Sequence, residues 1–244
     1  RNIYMQRFGV DLTKKGGETL VNDPSNPYYS LEQQKPKVLS FPDGTFLIVW
    51  TTRSCSSGCT NSDWQIEGQR FNSTDGTKIG PEFLMVRKVH EFGPSQVESI
   101  DLLNNGRYVI SYVNLGEMSY RSQDMFAIFD ASDKIVGTPA RMTDVFQNIE
   151  TTYESSIAYM PSVNKIFVAW AQEHKSNSAY PKEELWMTMY DLKDSAFQAL
   201  DVIPFRTGFM TTLTSDVTNF YKSYTNFDAQ ISDEVWWDLQ NFYK

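Results

Sequence analysis

Two cysteines, two histidines and 30 acidic side chains are the groups from which chemistry could be assembled in this chain of 244 residues. The cysteines lie four apart in Cys55-Ser-Ser-Gly-Cys59. A zinc site at that spacing needs further ligands, and His90 and His174 are far off in sequence. Two free thiols in a loop are the plainer alternative. The expectation is a small disulfide loop between Cys55 and Cys59, pinched by Gly58, which implies an oxidising compartment. Asn72-Ser73-Thr74 is an N-glycosylation acceptor placed ahead of an Asp75-Gly76 turn, and it points the same way.

Nucleophilic catalysis finds little to work with. A Ser/His/acid triad needs a histidine within reach of its nucleophile, and neither His90 nor His174 sits beside a glycine elbow. Both read as solvated loop residues. Arg7 and Arg70 occupy the same slot in two repeated segments, so they read as strand-edge scaffold rather than as members of a sugar-acid arginine cluster. The Asp-Gly-Thr turns at 43–45 and 75–77 lack the spacing and closing Trp of an Asp-box. Paired carboxylates for glycoside chemistry depend on the fold, because the acids are scattered. The Asn/Asp-rich stretches 22–26 and 72–75 read as turns, with calcium as the alternative and no other cofactor expected. Aromatics that fall outside the repeat, Tyr28, Tyr29, Tyr180, Trp236 and Trp237, are candidate platforms for a sugar or a protein partner.

The elements that must position these residues are repeated. An aromatic ends an apolar strand at Phe8, Phe71, Phe129 and Tyr190; a second closes a later strand at Trp50, Tyr112 and Trp170. A β-branched residue precedes a turn at Val38, Ile100 and Ile157. The three markers advance together with a period of about sixty residues. Within a unit, four short strands follow: one ending at the first aromatic, a short one such as Thr19-Leu20-Val21, one around the β-branched marker, and one such as Thr45 to Trp50. The last is apolar on both faces and should be buried between sheets. Asn/Asp/Gly turns at 42–44, 72–76 and 104–106 suit left-handed backbone. Four antiparallel strands per unit is the pattern of propeller blades, so the expected fold is all-β and β-propeller-like. The repeat region spans 1–206, with units at 1–63, 64–124, 125–184 and 185–206 onward. Residues 207–244 are a degenerate fourth unit or an aromatic-rich tail, read either as a worn hairpin over Ile231–Trp237 or as a terminal helix capped by Ser232.

The strings Trp64-Gln-Ile-Glu-Gly-Gln-Arg-Phe71, Asp75-Gly76, Ile79-Gly-Pro-Glu-Phe-Leu84 and Val38-Leu-Ser-Phe-Pro-Asp-Gly44 resemble a tandem repeat of large secreted and cell-surface adhesin-like proteins. The likeness runs from about residue 3 to 170; the third unit departs from it at Ile128-Phe129-Asp130 and at Val163-Asn164-Lys165. It implies an extracellular, adhesive or structural role, and brings no catalytic residues.

The formal charge of −8 and a pI near 4.8 argue against nucleic acid, whose phosphates reward basic clusters. No apolar run is long enough for a membrane helix. The chain opens abruptly into a strand, as though it were a piece of something longer. The expectation is therefore a non-enzymatic structural or adhesive module at the cell surface or outside the cell, a unit of a larger tandem or fibrous assembly, whose partners are copies of itself or matrix and surface components. A lectin-like propeller and a glycan-processing enzyme on a propeller are the alternatives; a pair of buried carboxylates in the central channel or on the top face would mark the enzyme.

Overall fold

The computed structural model describes residues 2–23, 32–54, 63–86, 94–115, 122–142, 149–174, 183–193 and 196–205. Three antiparallel four-stranded sheets follow one another along the chain. The first contains β3 (Glu32–Ser40), β4 (Thr45–Ser54), β5 (Asp63–Asn72) and β6 (Lys78–Val86). The second contains β7 (Pro94–Leu102), β8 (Tyr108–Leu115), β9 (Ser122–Phe129) and β10 (Ile135–Arg141). The third contains β11 (Ile149–Met160), β12 (Lys165–His174), β13 (Glu183–Lys193) and β14 (Ala196–Phe205). A two-stranded sheet of β1 (Tyr4–Phe8) and β2 (Lys14–Leu20) precedes them. Strand order within each sheet is simply the order along the chain, as in the blades of a propeller. The expected all-β, propeller-like architecture is what the chain adopts. β2 starts at Lys14, well before the short Thr19–Val21 segment, because its glycine-rich first half pairs with β1 without burying side chains.

The sheets pack face to face, and each interface is a separate core. Leu47, Val49 and Ile66 of the first sheet meet Tyr108, Ile110, Tyr112 and Phe129 of the second. Val109, Phe126 and Ile128 on the opposite face of the second sheet meet Ile166, Val168, Trp170, Trp186 and Tyr190 of the third. Ile3 and Val21, flanking β1 and β2, meet Ile48, Trp50 and Phe71. Strands β4, β8 and β12 are thus buried on both faces, as their unbroken apolar runs require. The first strand of each later four-stranded sheet is tied to the sheet before it. The Val97 amide donates to Thr51 Oγ1 at 2.8 Å, Ile157 to Ser99 Oγ at 3.2 Å and Tyr159 to Asp101 Oδ2 at 2.6 Å. Strands β3, β7 and β11 therefore form the inner ring, with β6, β10 and β14 outermost.

The phase of the sheets differs from that of the sequence repeat. A unit that begins with β5 and β6 continues into β7 and β8, yet these pairs belong to different sheets. Each blade takes the last two strands of one unit and the first two of the next.

Tight turns gather at one end. Gly44, Gly76, Asn105, Asp133 and Asn164 all take positive φ there, the left-handed backbone that Asn, Asp and Gly accommodate. Two of these turns, and the β1–β2 turn with them, share an Asp-X-Thr device. Asp11, Asp43 and Asp75 each accept from the amide and hydroxyl of the threonine two residues on, and those bonds hold the three carboxyls below their ordinary range. Arg7 reaches from β1 to the Ser73 and Thr74 carbonyls of the next sheet. Arg70 repeats the reach, with a 2.7 Å ion pair to Asp133 and its guanidinium 4.1 Å above the Phe41 ring. The scaffold reading of these arginines holds.

Candidate functional site

The inner strands share an irregularity that places charge at one level of the ring. In β3 the pairing register shifts between Gln34 and Lys37, so Lys35 and Pro36 bulge opposite Trp50. In β7 it shifts between Val97 and Ser99, leaving Glu98 as the extra residue beside Tyr112. In β11 it shifts between Tyr153 and Ser156, leaving Glu154 and Ser155 at the level of Trp170. The recurring aromatic of β4, β8 and β12 thus marks a β-bulge on the neighbouring inner strand in all three blades. Bulges of this kind re-aim side chains and are over-represented beside active sites. Lys35 carries a left-handed backbone, φ 54°, a strained state for a lysine that its bulge enforces.

The side chains at this level interact. Lys35 Nζ lies 4.0 Å from Glu98 Oε1, and the Glu98 side chain is only 8% exposed. Glu154 occupies the corresponding backbone position one blade further round. Earlier on β3, Glu32 lies 4.0 Å from Arg53, whose guanidinium sits 5.6 Å from the Trp64 ring centre. Tight turns occupy the other end of the blades, so bulges and strand starts sit at the end from which the longer connections leave.

A second acidic set lies further out, where β1 and β2 meet the first blade. Glu67 of β5 is fully buried. One of its oxygens accepts from Thr52 Oγ1 at 2.7 Å and the other from Gln65 Nε2 at 2.6 Å. Glu82 of β6 neighbours Glu67 and accepts the Asp23 amide at 2.8 Å. Burial pushes the Glu82 carboxyl up to about 7; the Asp23 amide opposes this and the neighbouring Glu67 adds to it. Gln33 and Trp50 share this face of the sheet with Glu67, by register.

Most residues singled out from the sequence lie elsewhere. Cys55, Cys59, Tyr28, Tyr29, Tyr180, Trp236, Trp237 and His90 fall outside the described residues, as does the segment Ile231–Trp237. His174 ends β12. Asn72 ends β5, and its Oδ1 accepts the Thr74 amide at 2.8 Å, a turn function compatible with an exposed Thr74. Asn22 is buried, its Oδ1 accepting the Ile3 amide. Among the described residues no three carboxylate, thiol or imidazole side chains converge as a metal site would need. Sequence reading passed over Glu67, Glu82, Glu98 and Glu154. A usable signal for the ring existed: a charged residue stands two or three places before each β-branched marker, at Lys35, Glu98 and Glu154.

No protein-family model matches the chain. No curated protein matches it either. Among solved structures it is similar to a thermostable family-43 glycoside hydrolase, at 12% identity and a TM-score of 0.49, over 85% of this chain and 72% of that one. It is similar to an α-L-arabinofuranosidase from Lactobacillus brevis, at 10% identity and TM-score 0.47, over 78% of this chain and 60% of that one. The third is an endo-arabinase from Bacteroides thetaiotaomicron VPI-5482, at 11% identity and TM-score 0.42, over 80% and 72%. The chain thus spans less than two thirds of the arabinofuranosidase. At such identities the likeness concerns chain architecture.

The expectation of a chain without enzymatic activity is corrected at this point. The solved structures that its fold resembles are glycoside hydrolases. The non-enzymatic reading weighed each acid by its sequence neighbours, and a neighbour along a strand says nothing about what the next blade brings alongside.

Proposed function

We propose that the chain is a glycan-processing enzyme on a propeller scaffold, hydrolysing a glycosidic bond with acids delivered by the inner-strand bulges. The observation that carries this reading is the repetition of the bulge at one level of three successive inner strands, with Glu98 and Glu154 at two of them and Lys35 at the third. Hydrolysis needs one carboxylic acid to protonate the departing oxygen as the C–O bond breaks. A second carboxylate activates the water, or attacks the anomeric carbon. Glu98, with Lys35 beside it, supplies one of these groups, and Glu154, at the equivalent backbone position of the next inner strand, is the candidate for the other.

The test is hydrolysis of a panel of aryl glycosides and polysaccharides, headed by α-L-arabinofuranosides and arabinan. Glu98→Gln and Glu154→Gln should each lower kcat by about a hundredfold or more with the fold retained, since acid–base groups contribute about 10²–10⁴. Wild-type protein inert on the whole panel, or both variants fully active, overturns the proposal.

A further inference from the structure

The β1–β2 sheet has two strands where each of the others has four. Equivalence identifies which two they are. Gln6 Nε2 donates to the carbonyls of Arg7 and Gly16, as Gln69 Nε2 of β5 donates to those of Arg70 and Gly80. Arg7 and Arg70 then reach for carbonyls of the following sheet. β1 and β2 therefore stand where β5 and β6 do, as the outer half of a blade, and the half they adjoin is an inner pair like β3 and β4. Among the described residues no strand pairs with β1 on the side away from β2. Ile3 and Gly9 turn their amides onto Asn22 and Thr13, so alternation turns those of Tyr4, Gln6 and Phe8 to this open edge. Glu67, Gln69 and Phe71, their counterparts in β5, stand opposite Trp50, Ile48 and Phe46 of β4. The first sheet is uncovered on the same side: Val38, beside Ile48, is 65% exposed, whereas its counterpart Ile157 is buried against the second sheet.

A matching surface lies on the third sheet. Phe167, Ala169, Met187 and Met189 face away from the second sheet, by register, and are buried without belonging to any core between described sheets. We propose that residues 206–244, which lie outside the described residues, supply the inner two strands of the β1–β2 sheet, cover this far face of the third sheet and close the ring. Each described blade takes its inner pair from the end of one repeat unit, and β13 and β14 open a unit whose end falls beyond Phe205. The length suffices: the chain runs 39 residues past Phe205, and the equivalent stretch from the end of β10 to the end of β12 takes 33. Trp237 follows Trp170 by 67 residues, near the period, at the place of the aromatic that closes a blade's second strand. Of the two sequence readings of Ile231–Trp237, the hairpin fits the edge, because a helix spends its own donors and acceptors internally and offers β1 none. An unpaired edge is otherwise a template for another chain.

Two measurements on the full chain test it. In residue-resolved hydrogen exchange, the Tyr4, Gln6 and Phe8 amides should be protected to within about tenfold of the Ile3 and Val21 amides, because amides on an unpaired edge exchange almost as in open chain. A benzophenone-bearing residue at position 8 then identifies what fills the edge. Phe71 stacks on Phe46 of the neighbouring strand with ring centres 5.1 Å apart, so a side chain at position 8 lies within reach of its own neighbour. Irradiating a mixture of isotope-light and isotope-heavy chains should give adducts to residues 206–244 of the same chain. Adducts that join light chains to heavy ones assign the edge to a second copy and overturn the proposal. Failure to find any adduct in 206–244 overturns it too, as do Tyr4, Gln6 and Phe8 amides that exchange freely.

Discussion

Arg70 shows how one side chain can serve three contacts at once. Its guanidinium forks onto both oxygens of Asp133 at 2.7 Å, lies over Phe41, and approaches the Ala131 carbonyl of the next blade. Tyr108 donates to the same Asp133, and burial together with that carboxylate pushes its phenol well above the ordinary range, so it stays a donor. The clamp is largely enclosed, with both ion-pair partners under 15% exposed. Removing one partner leaves the other charge stranded. Asp133→Ala and Arg70→Ala should each cost about 2–4 kcal/mol in denaturant unfolding, and the double variant clearly less than their sum. Arg7 makes the equivalent reach to carbonyls alone, and Arg7→Ala should cost less. The sequence placed Arg7 and Arg70 in one slot correctly. It could not supply Asp133, 63 residues away, because nothing local distinguishes that aspartate from any other turn residue.

At the scale of the element, strand type and turn chemistry were legible, and strand irregularity was not. Alternation, apolar runs and Asn/Asp/Gly turns came from local preferences that act within a few residues. The β-branched markers Val38, Ile100 and Ile157 located the inner strands. The bulges two or three residues before them were invisible, because a bulge is a mismatch between two strands and is a property of neither alone. Gly68 in β5 makes the same point. A Cβ there would stand 2.9 Å from the Met85 sulfur, 3.0 Å from Phe83 and 3.2 Å from Leu47. This glycine buys close packing of β6 against β4 across β5. Gly68→Ala should destabilise the protein by about 1–3 kcal/mol, read as a lower Tm with unchanged far-ultraviolet circular dichroism.

At the scale of the molecule, the first and later blades are not equivalent. Phe71, Phe129 and Tyr190 are buried against the blade before their own, whereas Phe8, in the same position of β1, is 53% exposed. No preceding sheet among the described residues covers β1, and Tyr4 on the same strand is exposed with it. Blades stacked in sequence, each burying its face on the last, make stability depend on whole neighbouring sheets. A fragment spanning 32–142 holds two complete sheets and the core between them, and should unfold cooperatively. A fragment spanning 64–184, cut at the sequence units, contains β7–β10 intact but only halves of the sheets on either side. It should be measurably less stable in urea, with a smaller m-value.

That offset between repeat and sheet bears on how such a chain could grow. Duplicating one sixty-residue stretch inserts two half-blades, and each must find its complement across the new junction. Every copy is thereby stitched to both neighbours by backbone hydrogen bonds instead of by side-chain contact alone. Insertion errors that shift the phase would break two sheets at once, so the offset polices its own register. A chain built this way can vary its inner-strand bulges blade by blade while the stitching keeps the sheets in step.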